Sequence, residues 1–323
     1  MQVRSHKAAL LVSLLVVASC TGSGQPAEDV EIVVTTGILG DLVADLVGED
    51  ATVEVLMPRG VDPHDFEASS AQVALINRAD LVVANGLGLE AGLVDVLVTA
   101  VTDGLRLLEI APLIDPIPFS GAGHEDQEEQ EDEGEQGDQH EEDAHELDPH
   151  VWMDPVRMAE AVRLIAAELA LIDSGVNWEE RAEAYANLLG EVDVEISDLL
   201  ERVPVANRKL VTNHSTFGYF ADRYGWEIIG TVIPGGSSMG APSSAELAAL
   251  VTLIRETGIR AIFTETTGSE GLARVIAAEV GSTVEVVTLH TESLGPPGSG
   301  ADTLIGMLLT NARLITDALS GAG

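Results

Sequence analysis

Residues 31–58 read EIVVTTGILGDLVADLVGEDATVEVLMP, and this stretch decides the fold. Glu31 to Thr36 is a short run rich in β-branched residues, as in a buried strand. Leu39 to Val47 has the apolar spacing of a helix, and Thr52 to Pro58 is a second strand. Strands that are apolar throughout and alternate with helices belong to a mostly parallel sheet covered on both faces.

Outward from this unit the alternation continues. A helix is predicted from Ser69 to Ala79, a strand from Asp80 to Gly86, a helix from Leu89 to Ala100 and a strand from Leu105 to Ala111. Asp154-Pro155 carries a helix start, with Asp as the cap and Pro in the first turn, and predicts a helix to Ile172. A longer helix follows from Trp178 to Val203, with Ala182, Tyr185, Leu189, Val192, Ile196, Leu199 and Val203 three or four residues apart. At about 1.5 Å per residue it spans roughly 40 Å, enough for a strut between lobes. Beyond Pro204, strands are predicted at Lys209 to Asn213, Trp226 to Ile233, Arg260 to Thr264 and Thr283 to Leu289. Helices fall at Thr216 to Tyr224, Ser244 to Thr257, Glu270 to Val280 and Asp302 to Leu319. The expectation is an α/β protein of two similar (βα)4-type lobes with parallel sheets. Residues 31–175 form the first lobe, 205–323 the second, and a long rigid helix at 176–204 joins them.

The N-terminus has Arg4 and Lys7, an apolar run from Ala8 to Ala18, then small residues and Cys20, the layout of an export signal over residues 1–20. Val17-Ala18-Ser19-Cys20 also resembles the lipobox of bacterial lipoproteins, which makes Cys20 the lipidation site and 21–30 a tether. The run falls short of the roughly 20 apolar residues that a membrane-spanning helix needs. Cys20 is the single cysteine, so no internal disulfide and no thiolate ligand is available to the folded chain.

The formal net charge of −38 argues against nucleic acid as a partner, and aromatic residues at 3% argue against a sugar site built on stacked rings. A cation remains as the natural ligand. Residues 124–146 concentrate the charge, with 13 Asp or Glu, three histidines (His124, His140, His145) and a single Ala. Such a segment, from about 121 to 147, is expected to be a disordered loop inserted in the first lobe. Its loosely spaced carboxylates and imidazoles offer weak accessory metal binding, or no role beyond a solvated charge run.

Of the eight histidines, His6 lies in the export signal and three lie in the acidic segment, leaving His64, His150, His214 and His290 in folded segments. His64 sits in GVDPHDFEAS after a strand, His150 in LDPHVWMDP before a helix, and His214 in LVTNHSTFGYF between strand and helix. In open α/β sheets ligands gather beyond the carboxyl ends of strands, where all three fall. The repeated Asp-Pro-His triplet places Asp62 and Asp148 as turn formers or as acceptors behind the imidazoles.

These segments, with APSSAEL, IFTE and TLHTESLG, make the chain resemble the solute-binding lipoproteins of bacterial zinc and manganese ABC importers (ZnuA/TroA-like, cluster A-I receptors), over nearly the whole mature chain. The pairing of DPHVWMDP with HSTFGYFADRYG is the specific part, and the resemblance is to the zinc type, AztC-like. It implies His64 and His150 as metal ligands from the first lobe and His214 as the third, with the site between the lobes. Glu292 falls where the family has its fourth ligand, usually an Asp, with His290 or a water as alternatives. Glu265 falls at an acidic position that braces the site. Imidazole at position 214 favours Zn2+ over Mn2+.

The resemblance further implies a permease and its ATPase as partners, a membrane anchor through Cys20, a possible metallochaperone and a monomeric, extracytoplasmic receptor on the cell surface or in the periplasm. A long strut implies small lobe shifts rather than wide opening. The competing reading is a zinc hydrolase with three His, an open position and Glu265 as base, but the chain lacks an HExxH spacing. Since imidazole binds metal only when neutral, affinity is expected to fall below about pH 6.5.

Overall fold

The computed structural model describes residues 30–119, 147–281 and 284–321. The export signal, the tether with Cys20 and the acidic segment with His124, His140 and His145 lie outside the described residues. The first lobe carries β1 (Val30–Val34), α1 (Gly37–Val47), β2 (Ala51–Val55), α2 (Ser70–Ile76), β3 (Leu81–Ala84), α3 (Val94–Thr102) and β4 (Leu107–Glu109). Two helices follow, α4 (Pro155–Ile172) and α5 (Trp178–Leu200). The second lobe carries β5 (Lys209–Thr212), α6 (Gly218–Tyr224), β6 (Glu227–Thr231), α7 (Ser244–Thr257), β7 (Ala261–Glu265), α8 (Gly271–Val280), β8 (Glu285–Leu289) and α9 (Leu304–Ser320).

Each lobe has one sheet of four parallel strands, ordered β2-β1-β3-β4 and β6-β5-β7-β8. The two orders are the same permutation, so the predicted two-lobed α/β architecture holds. The inner strands β3 and β7 are buried along their whole length, as strands covered on both faces must be.

Alternate residues of each strand point to different cores. Ile32 and Val34 of β1 and Leu210 and Phe263 of β5 and β7 share one central cluster with α1, α4, α5 and α9. Val33 and Val82 face a separate outer cluster of the first lobe, and Val211 and Ile262 face one of the second. The central cluster therefore runs unbroken from one sheet to the other.

α4 occupies the range expected, capped by the Asp154 side chain, which accepts from the Val156 and Arg157 amides. α5 ends at Leu200, three residues before the expected end at Val203, and its buried stripe closes on Leu200 rather than Leu199. The turn Glu201–Val203 precedes Pro204, which cannot continue a helix hydrogen-bond ladder.

The expected helix from Leu89 begins as a single 3-10 turn at Ala91–Leu93 and becomes α-helical only at Val94. The chain before it turns sharply, with Leu87 at φ 52° between Gly86 and Gly88, both at positive φ. The expected helix from Thr216 starts at Gly218, leaving 213–217 free to present His214. Among the described residues no helix is long and apolar enough to cross a membrane.

Candidate metal centre

The two Asp-Pro-His triplets fold alike. In each, the Asp side chain accepts from the His backbone N–H, at 3.0 Å for Asp62 and His64 and 2.9 Å for Asp148 and His150. A short 3-10 turn accompanies each, Pro63–Asp65 around His64 and Val151–Met153 just after His150. The second carboxylate also reaches the ring, with Asp148 Oδ1 2.6 Å from His150 Nδ1. Asp62 instead spends its other oxygen on the second lobe, accepting from the Ser238 hydroxyl at 2.6 Å.

From the second lobe, β5 ends at Thr212, whose hydroxyl donates to the His214 carbonyl at 2.8 Å and fixes the turn that carries this ring. Glu265, the last residue of β7, lies with Oε1 2.5 Å from His214 Nδ1, close but out of line for a good hydrogen bond. Glu292 follows β8 by three residues.

One donor atom from each of His64, His150, His214 and Glu292 lies within 4.8 Å of the others. His64 Nε2 is 3.3 Å from His150 Nε2, and Glu292 Oε1 is 3.6 Å from His150 Nε2 and 3.5 Å from His214 Nε2. His150, His214 and Glu292 are buried, whereas His64 is half-buried and borders a cavity of about 410 Å3 with Leu87, Phe119, Pro149, Gly236 and Ser237. Both carboxylate oxygens of Glu292 are buried without a hydrogen-bond partner. A buried carboxylate left so is costly unless a cation neutralises it.

Electrostatics follow the packing. Burial alone would raise the Glu292 carboxyl, but the neighbouring His150, His214 and His64 rings hold it down to about 2. Burial lowers His64 to about 3. Burial would lower His214 as well, yet Glu265 and Glu292 outweigh it and lift the ring to about 10. The Asp148 carboxylate at Nδ1 of His150 fixes that tautomer so that Nε2 faces the cluster, and Glu265 stands behind Nδ1 of His214 with its Nε2 toward Glu292.

His290 stands outside this group. Its backbone N–H donates to Asn311 Oδ1 at 3.0 Å, and its ring packs beside Gly295. The strand ends at Leu289, so the rule that alternate residues share a face no longer links His290 to Glu292.

Several contacts around the cluster carry no signal of their own in one sequence. Trp152 Nε1 donates to the Thr291 carbonyl at 2.7 Å, and Arg59 Nη1 donates to the Gly295 and Asp302 carbonyls, each at 2.9 Å. The Gly60 amide donates to Ser293 Oγ at 2.7 Å. Each joins a first-lobe loop to the loop after β8, so both lobes meet around the four donors.

Residues 32–318 match the ZnuA family model, described as the periplasmic component A of a zinc-uptake complex. The chain belongs to the ZnuA family. It is 27% identical to a manganese-binding lipoprotein, MntA, of Halalkalibacterium halodurans, over 96% of this chain and 97% of that one. It is 28% identical to the zinc-binding protein TroA of Treponema pallidum, over 90% of this chain and 88% of TroA. A solved structure of TroA superposes with a TM-score of 0.76 at 26% identity, covering 90% of this chain and 99% of TroA. This ZnuA-family chain is thus the extracytoplasmic metal-binding component of an ABC uptake system, a transport receptor and not an enzyme. That corrects the competing hydrolase reading. The family works with a permease and an ATPase, which fits export of the chain.

Proposed function

We propose that this receptor binds Zn2+ through His64, His150, His214 and Glu292 and delivers it to its permease. The observation that carries the reading is the convergence of three imidazoles on a buried carboxylate whose two oxygens have no hydrogen-bond partner. Three nitrogens and one oxygen suit tetrahedral zinc, whereas manganese favours sites richer in oxygen. Glu292 supplies the fourth donor and leaves no open catalytic position. Asp148 and Glu265 act behind His150 and His214, and Asp62 acts on the His64 backbone and on the mouth of the site.

In the same reading Cys20 carries the lipid that holds the receptor at the membrane, and the acidic segment at 124–146 gathers metal without defining the site. The division into a first lobe to 175, a linking helix at 176–204 and a second lobe draws support from the repeated strand order. Because one apolar cluster spans both sheets, wide hinge opening would expose it, and release through small shifts is favoured.

The test is a zinc titration against a competing chelator, on the metal-free chain lacking 124–146. One tight zinc per chain supports the reading. Loss of tight binding would move the ligands into the acidic segment and overturn it. The manganese reading, which the name of the MntA relative favours, is tested in the same cell by competition with excess Mn2+.

A further inference from the structure

We infer that Tyr219, a residue of the second lobe, is a positioning residue for His150 of the first lobe. The inference rests on the metal-site reading above. Tyr219 lies on α6 and is fully buried. Its hydroxyl donates to the Asp148 carbonyl at 2.6 Å and accepts from the Ile117 N–H at 3.3 Å.

The geometry of those two partners shows what the hydroxyl does. Pro118 and Leu147 form an isolated antiparallel bridge, and beside it the Asp148 N–H donates to the Ile117 carbonyl at 2.8 Å. Antiparallel neighbours usually exchange two such bonds. Here the reciprocal one, from Ile117 N–H to Asp148 carbonyl, is replaced by Tyr219, whose single hydroxyl serves both groups. The phenol is thus a wedge in a two-stranded ladder and holds Asp148 off the direct register.

Asp148 in turn fixes His150 twice, through its backbone amide and through Nδ1. Displacing the Asp148 peptide therefore displaces the ring. Arg157 packs 4.9 Å over the Tyr219 ring and is itself tied to Asp154 at the start of α4, so the phenol has little freedom to follow. Burial raises the Tyr219 phenol above its ordinary range, which keeps it a donor at neutral pH. No feature of the metal cluster alone requires a tyrosine from the other lobe.

The test compares wild type, Tyr219→Phe and Tyr224→Phe in the full chain. Tyr224 lies on the same helix, is half-buried and bonds Asp193 at 3.0 Å, so it controls for loss of a hydrogen-bonded phenol hydroxyl. Tyr219→Phe is expected to bind one zinc with an affinity about 10- to 100-fold lower, the usual range for a residue that orients a ligand. Its Co2+ complex should differ from wild type in the position and intensity of its visible bands, which report ligand geometry and not global stability. Tyr224→Phe should match wild type in both. Wild-type affinity and a superimposable Co2+ spectrum for Tyr219→Phe would overturn the inference. Should that variant fail to fold, hydrogen exchange at the Ile117 amide of the wild type decides: slow exchange is expected, and fast exchange in the zinc-loaded protein would overturn it. If wild type itself takes no tight zinc, the metal-site reading fails, a result distinct from these.

Discussion

The two lobes share a strand order and differ in how they use a buried glutamate at or just beyond the carboxyl end of the third strand of that order. In the first lobe Glu90 is enclosed by donors: the Thr35 hydroxyl at 2.6 Å, the Asn85 amide at 2.7 Å and the Gly86 amide at 3.0 Å. In the second lobe Glu265 ends β7, and neither carboxylate oxygen has a well-aligned hydrogen bond. Its near neighbour is His214. Both side chains are almost fully buried, so burial does not separate them. The partners do: a carboxylate whose lone pairs are filled by a hydroxyl and two backbone amides holds a loop, and one left unfilled is available to an imidazole.

The largest effect should come from the donors themselves. Glu292→Ala or His150→Ala should abolish one-to-one zinc binding in chelator competition, a loss beyond the roughly 10- to 100-fold typical of a residue behind a ligand. Glu292→Gln should also lose tight zinc, and its metal-free chain should melt lower than wild type at neutral pH, because a carboxyl held down to about 2 by the neighbouring rings stabilises the folded state there. A metal-free Glu292→Gln chain that melts at or above wild type would show that the carboxylate does not serve the fold.

Next come the two glutamates, where the comparison can be broken directly. Glu265→Gln is expected to act mainly on zinc binding, weakening it by about 10- to 100-fold. Glu90→Gln should do the reverse. It sets an NH2 group against N–H donors and leaves at least one without an acceptor, a cost of about 1–3 kcal/mol to the fold. Equal effects of both changes on zinc affinity would erase the distinction between the lobes.

The pH dependence sharpens it further. In the metal-free chain His214, lifted to about 10, holds its proton at neutral pH, and His64, lowered to about 3, does not. Zinc binding at pH 7 to 8 should therefore expel the His214 proton, and affinity should climb by up to about tenfold per pH unit in that range. The sequence expectation of a fall below about pH 6.5 thus extends upward. For the metal-free fold the sign is opposite. A raised imidazole contributes stability that is complete below its unfolded value of 6.5 and is lost as pH rises through about 10. Calorimetry in two buffers of different ionisation heat counts the proton. Glu265→Gln should flatten both dependences, and an unchanged proton count in that variant would remove Glu265 from the account.

Much of this was legible in the chain. β-branched runs gave the strands, the Asp-Pro signature placed α4, and the repeated Asp-Pro-His triplet marked two of the four donors, because each depends on local chemistry. The strand order was not legible, since it depends on which apolar faces meet across the sheet. Glu292 was separable from His290 only once β8 was seen to end at Leu289. Asp62 and Asp148 share a motif, yet only Asp148 touches its imidazole, because a second-lobe hydroxyl claims Asp62. Contacts made across the lobes, such as those of Tyr219, Arg59 and Trp152, leave no periodicity to read.

The smallest effect concerns that hydroxyl. Ser238 lies in the glycine-rich stretch Pro234–Gly240 and bonds Asp62 across the mouth beside His64, the least buried of the four donors. Gly236 lies against Phe119 of the first lobe, too close for a Cβ, so the same stretch covers the cavity from two points. A single part-buried hydrogen bond contributes about 1 kcal/mol. If this stretch must lift for zinc to leave, Ser238→Ala should raise the release rate by up to about fivefold. Equilibrium affinity should fall by no more, since the four donors keep their places. Stopped-flow transfer of zinc to an excess of fluorescent chelator reads the rate directly. An unchanged rate would mean that zinc leaves by another route. The Arg59 and Gly60 contacts to the loop after β8 would then be the next to loosen, because they lie between His64 and Glu292.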